Sequence, residues 1–238
     1  MKEFDKRIKA LPALLDGAAG TNLIASGMPR GCCPESWMLA HGDVLMDLQR
    51  RYMEAGSRII YAPTFTAQPS RLARFGLEAQ TESINERLAA LSRRAAPHCL
   101  IAGSMTTLTG MVQSEAEMIC QYRRQIRGLT AGGVDLLIGE TLMSSRDALA
   151  ILRAAEEERA APVMLSFALA QDGALRSHED TCEVFAMLER QGAAALGVNC
   201  VPADQRLPGL VMKLKACTNL PLLVKPNAGL SDGTGRIP

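Results

Sequence analysis

The sequence predicts an α/β protein of the (β/α)8 TIM-barrel class, incomplete at its C-terminal end with about seven strand–helix units. Three observations predict it. Short apolar runs alternate with amphipathic segments along the whole chain, which implies parallel strands joined by right-handed crossovers. The runs are apolar throughout, as expected of strands covered on both faces. They also end repeatedly in polar residues, and a barrel enzyme collects its chemistry at the C-terminal ends of its strands.

The elements follow in order. Residues 13–17 read as a strand ending in the turn Asp16-Gly17. Residues 37–55 read as a helix, with Leu39, Leu45, Leu48 and Tyr52 at helical spacing. Residues 58–62 are the second strand, and 81–96 the next helix, with Ile84, Leu88 and Leu91 on one face. Then come a strand at 98–104, a helix at 114–131 and a strand at 134–140. A helix at 145–158, with Ala148, Leu149 and Leu152 inward, leads to a strand at 163–168. A helix at 179–191, a strand at 194–200, a helix at 203–217 and a strand at 222–225 complete the count. Glycines follow several helices, as at Gly56, Gly132-Gly133 and Gly192, where a C-terminal cap is wanted before the next strand.

An open doubly wound sheet is the competing fold, and it usually carries a glycine-rich phosphate loop after its first strand. The turn Asp16-Gly17-Ala18-Ala19-Gly20-Thr21 has glycines but not the full dinucleotide fingerprint. A closed barrel needs about 250 residues. The chain reaches Pro238 shortly after its seventh strand, so the expectation is one domain, 1–238, without the last strand and helix. The uncovered apolar edge would then favour pairing with another chain, a homodimer included.

The net charge of +1 argues against nucleic acid or an anionic membrane as partner. No run approaches the roughly 18 apolar residues of a membrane span. Residues 1–10 are charged and lack a signal-peptide core, so a cytoplasmic location is expected. Aromatics are only 4%, so the core must be built from aliphatic residues and Met. Seven scattered cysteines without a signal peptide argue against a disulfide framework, and Cys99, Cys120, Cys182 and Cys217 read as small buried hydrophobes. His41, His98 and His178 show no metal-ligand spacing and read as surface or capping residues.

The strand ends deliver Asp16 and Gly17, Thr64, Gly103 and Ser104, Glu140 and Thr141, Ser166, Asn199 and Cys200, then Lys225, Asn227 and Gly229. Carboxylates, an amide, hydroxyls and one thiol suit a small zwitterion: carboxylates grip an ammonium group and glycine-turn N–H groups hold a carboxylate. A thiol at a strand end is also a soft, deprotonable ligand. Each residue has a bland alternative. Asp16 and Asn227 could be turn residues, and Lys225 could pair with a carboxylate as structure. Vicinal Cys32 and Cys33 could bind zinc, but Pro34-Glu35 starts a helix there and favours a structural role.

Read together, Asp16-Gly17-Ala18-Ala19-Gly20-Thr21, Gly31-Cys32-Cys33-Pro34-Glu35, Glu54-Ala55-Gly56-Ser57, Ala62-Pro63-Thr64-Phe65, Glu140-Thr141, Gly197-Val198-Asn199-Cys200 and Lys225-Pro226-Asn227-Ala228-Gly229 form an ordered set through nearly the whole chain. In that set the chain resembles the homocysteine S-methyltransferase family, most closely the homocysteine-binding barrel of bacterial cobalamin-dependent methionine synthases. The resemblance implies a zinc-dependent barrel that methylates the sulfur of homocysteine to give methionine. It implies Cys200 as a zinc ligand and catalytic residue, with two further cysteine ligands in a motif that this sequence does not contain. By the same carry-over Glu140 is catalytic. Asp16 and Glu140 bind the substrate amino group, Gly17, Ala18 and Thr21 its carboxylate, and Asn227 supports the bound amino acid. Methylcobalamin, delivered by a corrinoid protein or domain, is the implied donor; other members use S-methylmethionine or betaine. A degenerate barrel that binds an amino acid or a partner without catalysis is the alternative, and recruitment of Cys32 and Cys33 beside Cys200 is a further one.

Overall fold

The computed structural model describes residues 13–170 and 173–227. Among the described residues, six strands are hydrogen-bonded in chain order: β1 Ile59–Ala62, β2 Leu100–Met105, β3 Leu136–Leu142, β4 Val163–Phe167, β5 Ala195–Pro202 and β6 Leu222–Asn227. The pairs β1–β2, β4–β5 and β5–β6 are parallel. A spatial order that never reverses is that of a barrel and not of a doubly wound sheet, whose order turns back at a switch point. The helices are α1 Gly20–Ala25, α2 Pro34–Ala40, α3 Gly42–Glu54, α4 Pro69–Leu72, α5 Thr81–Ala95, α6 Glu115–Ala131, α7 Ser145–Glu157, α8 Thr181–Arg190 and α9 Leu207–Ala216. None is long and apolar enough to cross a membrane.

The chain forms two compact units. The first comprises Met1–Met105, Cys120–Leu137 and Ala154–Pro162. Its α-helical core packs Leu23, Met38, Leu45, Leu48, Leu72, Ile84 and Leu88 together. Helical spacing explains the membership: Leu45 and Leu48 share one face of α3, and Ile84 and Leu88 one face of α5. Helix α6 comes so close to α5 that a Cβ on Gly128 would lie 2.3 Å from the Glu82 carbonyl oxygen. Only glycine allows that approach.

The second unit comprises Thr106–Ile119, Ile138–Arg153 and Val163–Pro238. Here every residue of β4 is buried, and Phe167 packs against Phe185 of α8 with ring centroids 6.0 Å apart. Asp180 caps α8 by accepting the N–H groups of Cys182 at 2.9 Å and Glu183 at 3.0 Å, which satisfies two donors that the helix leaves open.

Several expectations are corrected. The strand expected at 13–17 is a single parallel bridge, Leu15 with Ile59. The helix expected at 37–55 breaks at His41, whose backbone (φ −121°, ψ 48°) is not helical, and α3 starts afresh at Gly42 against Leu91. Short α1 and α4 were not expected, because each has too few residues to show a period. Cys182 and Cys217, expected as separate buried thiols, are joined in a disulfide. The start of α8 and the end of α9 bring their Cα atoms to 4.9 Å, within bridging range. Cys120 is exposed: Met118, Tyr122, Ile126 and Leu129 form the buried stripe of α6, and Cys120 lies off it. Cys99 is buried, and all three histidines are exposed, as expected.

Candidate active site

The second unit gathers the polar ends of β3, β4, β5 and β6. Asn199 lies at its centre and is 1% exposed. Its Oδ1 accepts the backbone N–H of Thr141 at 3.0 Å and the Ser166 hydroxyl. A backbone N–H can only donate, so the carboxamide orientation is fixed. Nδ2 therefore faces the other way, donating to Thr141 Oγ1 at 2.6 Å and to Cys200 Sγ at 3.3 Å. Thr141 Oγ1 and Cys200 Sγ are 3.9 Å apart. The Cys200 thiol is exposed.

The backbone at this cluster is unusual. Thr141 has φ 57° and Cys200 φ 55°, both in the left-handed region. That region costs an L-residue about 1–2 kcal/mol, and for β-branched Thr it is a genuine outlier. Beyond Asn199 the β5–β6 register slips: Asn199 faces Lys225 and Pro202 faces Asn227, so β5 carries one extra residue where Cys200 lies. Such a bulge re-aims a side chain at a strand end. Two positions earlier, a Cβ on Gly197 would lie 1.9 Å from the Leu223 carbonyl oxygen, so β6 can sit where it does only beside glycine.

Glu140 precedes Thr141 on β3, and its Oε1 is 3.5 Å from Lys225 Nζ, with both side chains largely buried. The reading of Lys225 as partner to a carboxylate is therefore met at Glu140. Asn227 is exposed at the end of β6. Gly229 lies outside the described residues.

The first unit holds the other expected group. Asp16 is 8% exposed and accepts the Tyr61 N–H at 2.8 Å. The Tyr52 hydroxyl donates to the Ala18 carbonyl at 2.9 Å. The tyrosine ring lies so close that a Cβ on Gly17 would be 2.6 Å from its oxygen. Ala18 and Thr21 are exposed, and α1 begins between them at Gly20.

Cys32 and Cys33 lie at the start of α2 in this unit. Cys33 is buried, and its thiol donates to Glu35 Oε2 at 3.5 Å, while Thr66 Oγ1 donates to Glu35 Oε1. Burial pushes the Cys33 thiol above the usual range; hydrogen bonds from Ser36 pull it partly back, and the Glu35 carboxylate adds to the rise. Among the described residues, no three His, Cys, Asp or Glu side chains are gathered to hold a metal ion. Cys200 alone does not make a zinc site.

Sequence reasoning placed Thr141, Ser166 and Asn199 at strand ends as part of the lining for a small zwitterion but gave none of them an individual role. The only signal was their polarity at the close of apolar runs.

The chain matches the family profile described as homocysteine S-methyltransferase over residues 13–237 and belongs to that family. It is 26% identical over 237 residues to a methionine synthase from Mycobacterium leprae (strain TN), covering 90% of this chain and 20% of that protein. The chain thus spans about a fifth of that relative's length. The crystal structure of the homocysteine methyltransferase MmuM from Escherichia coli, in its metallated form, is 25% identical with a TM-score of 0.85, over 93% of this chain and 86% of that one. The oxidised form of the same enzyme gives a TM-score of 0.84 over 94% of this chain and 86% of that one, also at 25% identity.

Proposed function

We propose that this chain binds homocysteine and serves methyl transfer to its sulfur, giving methionine. The observation that carries the reading is the exposed Cys200 thiol, held at the end of β5 by Asn199 and beside Thr141, in a chain of this family. Glu140 offers its carboxylate to the substrate ammonium group, and Lys225 fixes where that carboxylate points. By the family resemblance, Asp16 of the first unit would bind an ammonium group, and the N–H groups of Gly17, Ala18 and Thr21 a substrate carboxylate. Asn227 would support the bound amino acid from the end of β6.

Homocysteine must react as its thiolate, a minor species at neutral pH for a thiol with a pKa of about 8.5. The family resemblance assigns that activation to zinc. Among the described residues, Cys200 would be the sulfur ligand this chain brings to it, and no three potential ligands are gathered there. What this chain itself contributes is orientation, because a sulfur fixed at the rim beside Cys200 needs less reorganisation to meet a methyl donor. Methylcobalamin on a corrinoid protein or domain is the donor we favour, as the likeness to a methionine synthase suggests, and the cytoplasm is the location that fits such a partner.

The test is direct. Purified chain is incubated with homocysteine and methylcobalamin, and in parallel with S-methylmethionine, while methionine is followed by mass spectrometry and zinc by elemental analysis. Methionine formation from either donor supports the reading. A chain that neither forms methionine nor binds homocysteine in calorimetry removes it.

A further inference from the structure

Resting on the homocysteine reading above for the identity of the substrate, we propose that Asn199 is a positioning residue. Its carboxamide clamps the ends of β3 and β5 and holds Thr141 and Cys200 in the left-handed region, where their side chains meet the substrate sulfur.

Four non-glycine residues among those described have positive φ: Thr141, Arg159, His178 and Cys200. Arg159 and His178 are exposed turn residues, where such a backbone is ordinary. Thr141 and Cys200 instead lie within strands, and Asn199 touches both. A strained backbone persists only where its surroundings over-determine it. Here the tie to Thr141 is double, backbone N–H to Oδ1 and Nδ2 to Oγ1, while the tie to Cys200 runs through Nδ2 to Sγ. Ser166, on the strand between them, donates to the same Oδ1, whose orientation the Thr141 N–H fixes. Water cannot replace these contacts, because Asn199 is sealed from solvent. The sulfur it holds is exposed, so the clamp faces a rigid interior on one side and an accessible thiol on the other.

A side chain that only fills hydrogen bonds would leave the two strand ends indifferent to residue type. A clamp on a left-handed residue does not. Within a strand, Gly normally lowers stability relative to Ala. At position 141 the order should invert: Thr141→Gly and Thr141→Ala both lose the hydroxyl, but only Ala keeps the left-handed penalty. Thr141→Gly should melt about 2–4 °C above Thr141→Ala for a chain of this size. In an Asn199→Ala background the gap should shrink to about 1 °C or less, as expected of coupled neighbours. Homocysteine binding by calorimetry should weaken roughly tenfold in Thr141→Gly, since the strand end is then free to leave the substrate sulfur. Should Asn199→Ala fail to fold, Asn199→Leu replaces it as the background, because it removes the amide while keeping the side-chain volume.

Thr141→Ala melting at or above Thr141→Gly would overturn the clamp. So would a gap unchanged in the second background, or homocysteine binding unchanged in Thr141→Gly. A wild-type chain that binds no homocysteine would overturn the reading of the substrate instead. The melting comparison needs no substrate and would still decide the clamp.

Discussion

Asp147 and Asn199 are both sealed inside the second unit, and both tie together chain at or just beyond strand ends, yet they leave their surroundings in opposite states. Asp147, at the start of α7, is 0% exposed and accepts the Leu108 N–H at 2.7 Å and the Thr107 and Thr109 hydroxyls at 2.6 Å each. The loop after β2 that it holds has ordinary backbone: none of Thr107, Leu108 or Thr109 has positive φ. Asn199 holds two strained residues and an exposed thiol. A buried carboxylate surrounded by donors on unstrained chain is what stability asks for. A buried amide holding strain against an open sulfur is what a site asks for. Burial alone does not separate the two; the state of what each one holds does.

The sharpest way to break this contrast is to remove the structural member. Asp147→Ala leaves several buried donors unmatched and should cost about 3–5 kcal/mol in urea unfolding, since each orphaned buried group costs about 1–3 kcal/mol. A loss below about 1 kcal/mol would show that the loop after β2 does not depend on this carboxylate. Next comes the floor of the strained cluster. Gly197→Ala places a methyl group where the Leu223 carbonyl oxygen lies, and β5 and β6 must separate. The expected cost is about 2–3 kcal/mol, the usual range for overpacking. Unchanged stability would mean that β6 gives way freely, and the rigid seat under Asn199 would be lost with it.

Cys200→Ser probes the functional member and should behave in the opposite way. The side chain is exposed, so stability should stay within about 0.5 kcal/mol of the parent. Methyl transfer to homocysteine should fall at least about 100-fold, as for loss of a group that positions the reacting atom. Full retention of transfer would take Cys200 out of the site. In the same experiment iodoacetamide should label Cys200 and leave Cys33 untouched at neutral pH, because one thiol is open and the other is buried with its pKa raised.

How much of this could be read from the chain depends on the range of the interaction. Helices α5, α6 and α7 carry their own period, so their bounds were legible to within a residue or two. Cys200, Glu140 and Lys225 were legible as polar closures of apolar runs. The ion pair of Glu140 with Lys225 joins residues far apart in sequence, and no local pattern announces it. The same holds for the Cys182–Cys217 disulfide, separated by 35 residues and visible only once α8 and α9 are packed. Thr141 was least legible of all. A β-branched residue is among the last expected at positive φ, and only the amide of Asn199 explains why it is there. The sharpest failure of local reading thus falls at the strained cluster, where local preference is overruled.

Glu179 gives the smallest expected effect and lies between the two extremes. It reaches from the loop after β4 to the start of α7: its carboxylate accepts the Ser145 N–H at 3.0 Å and the hydroxyls of Ser145 and Ser177. Burial pushes its pKa up, but these hydrogen bonds outweigh it, so the carboxyl ends below its usual value. A carboxyl depressed by folding adds stability above its unfolded pKa, about 4.3, and loses it as pH falls through the lower folded value. Ser145→Ala should therefore destabilise the chain at pH 7 by about 1 kcal/mol, a typical charged hydrogen bond discounted for partial exposure. Between pH 7 and pH 5 the difference should hold steady, and below about pH 4 it should narrow as the parent loses the same contribution. Parallel urea unfolding of parent and variant across that range reads it. A gap that widens toward acid would mean that Glu179 is raised by burial and not lowered by its serines. It would then belong with the strained cluster and not with Asp147.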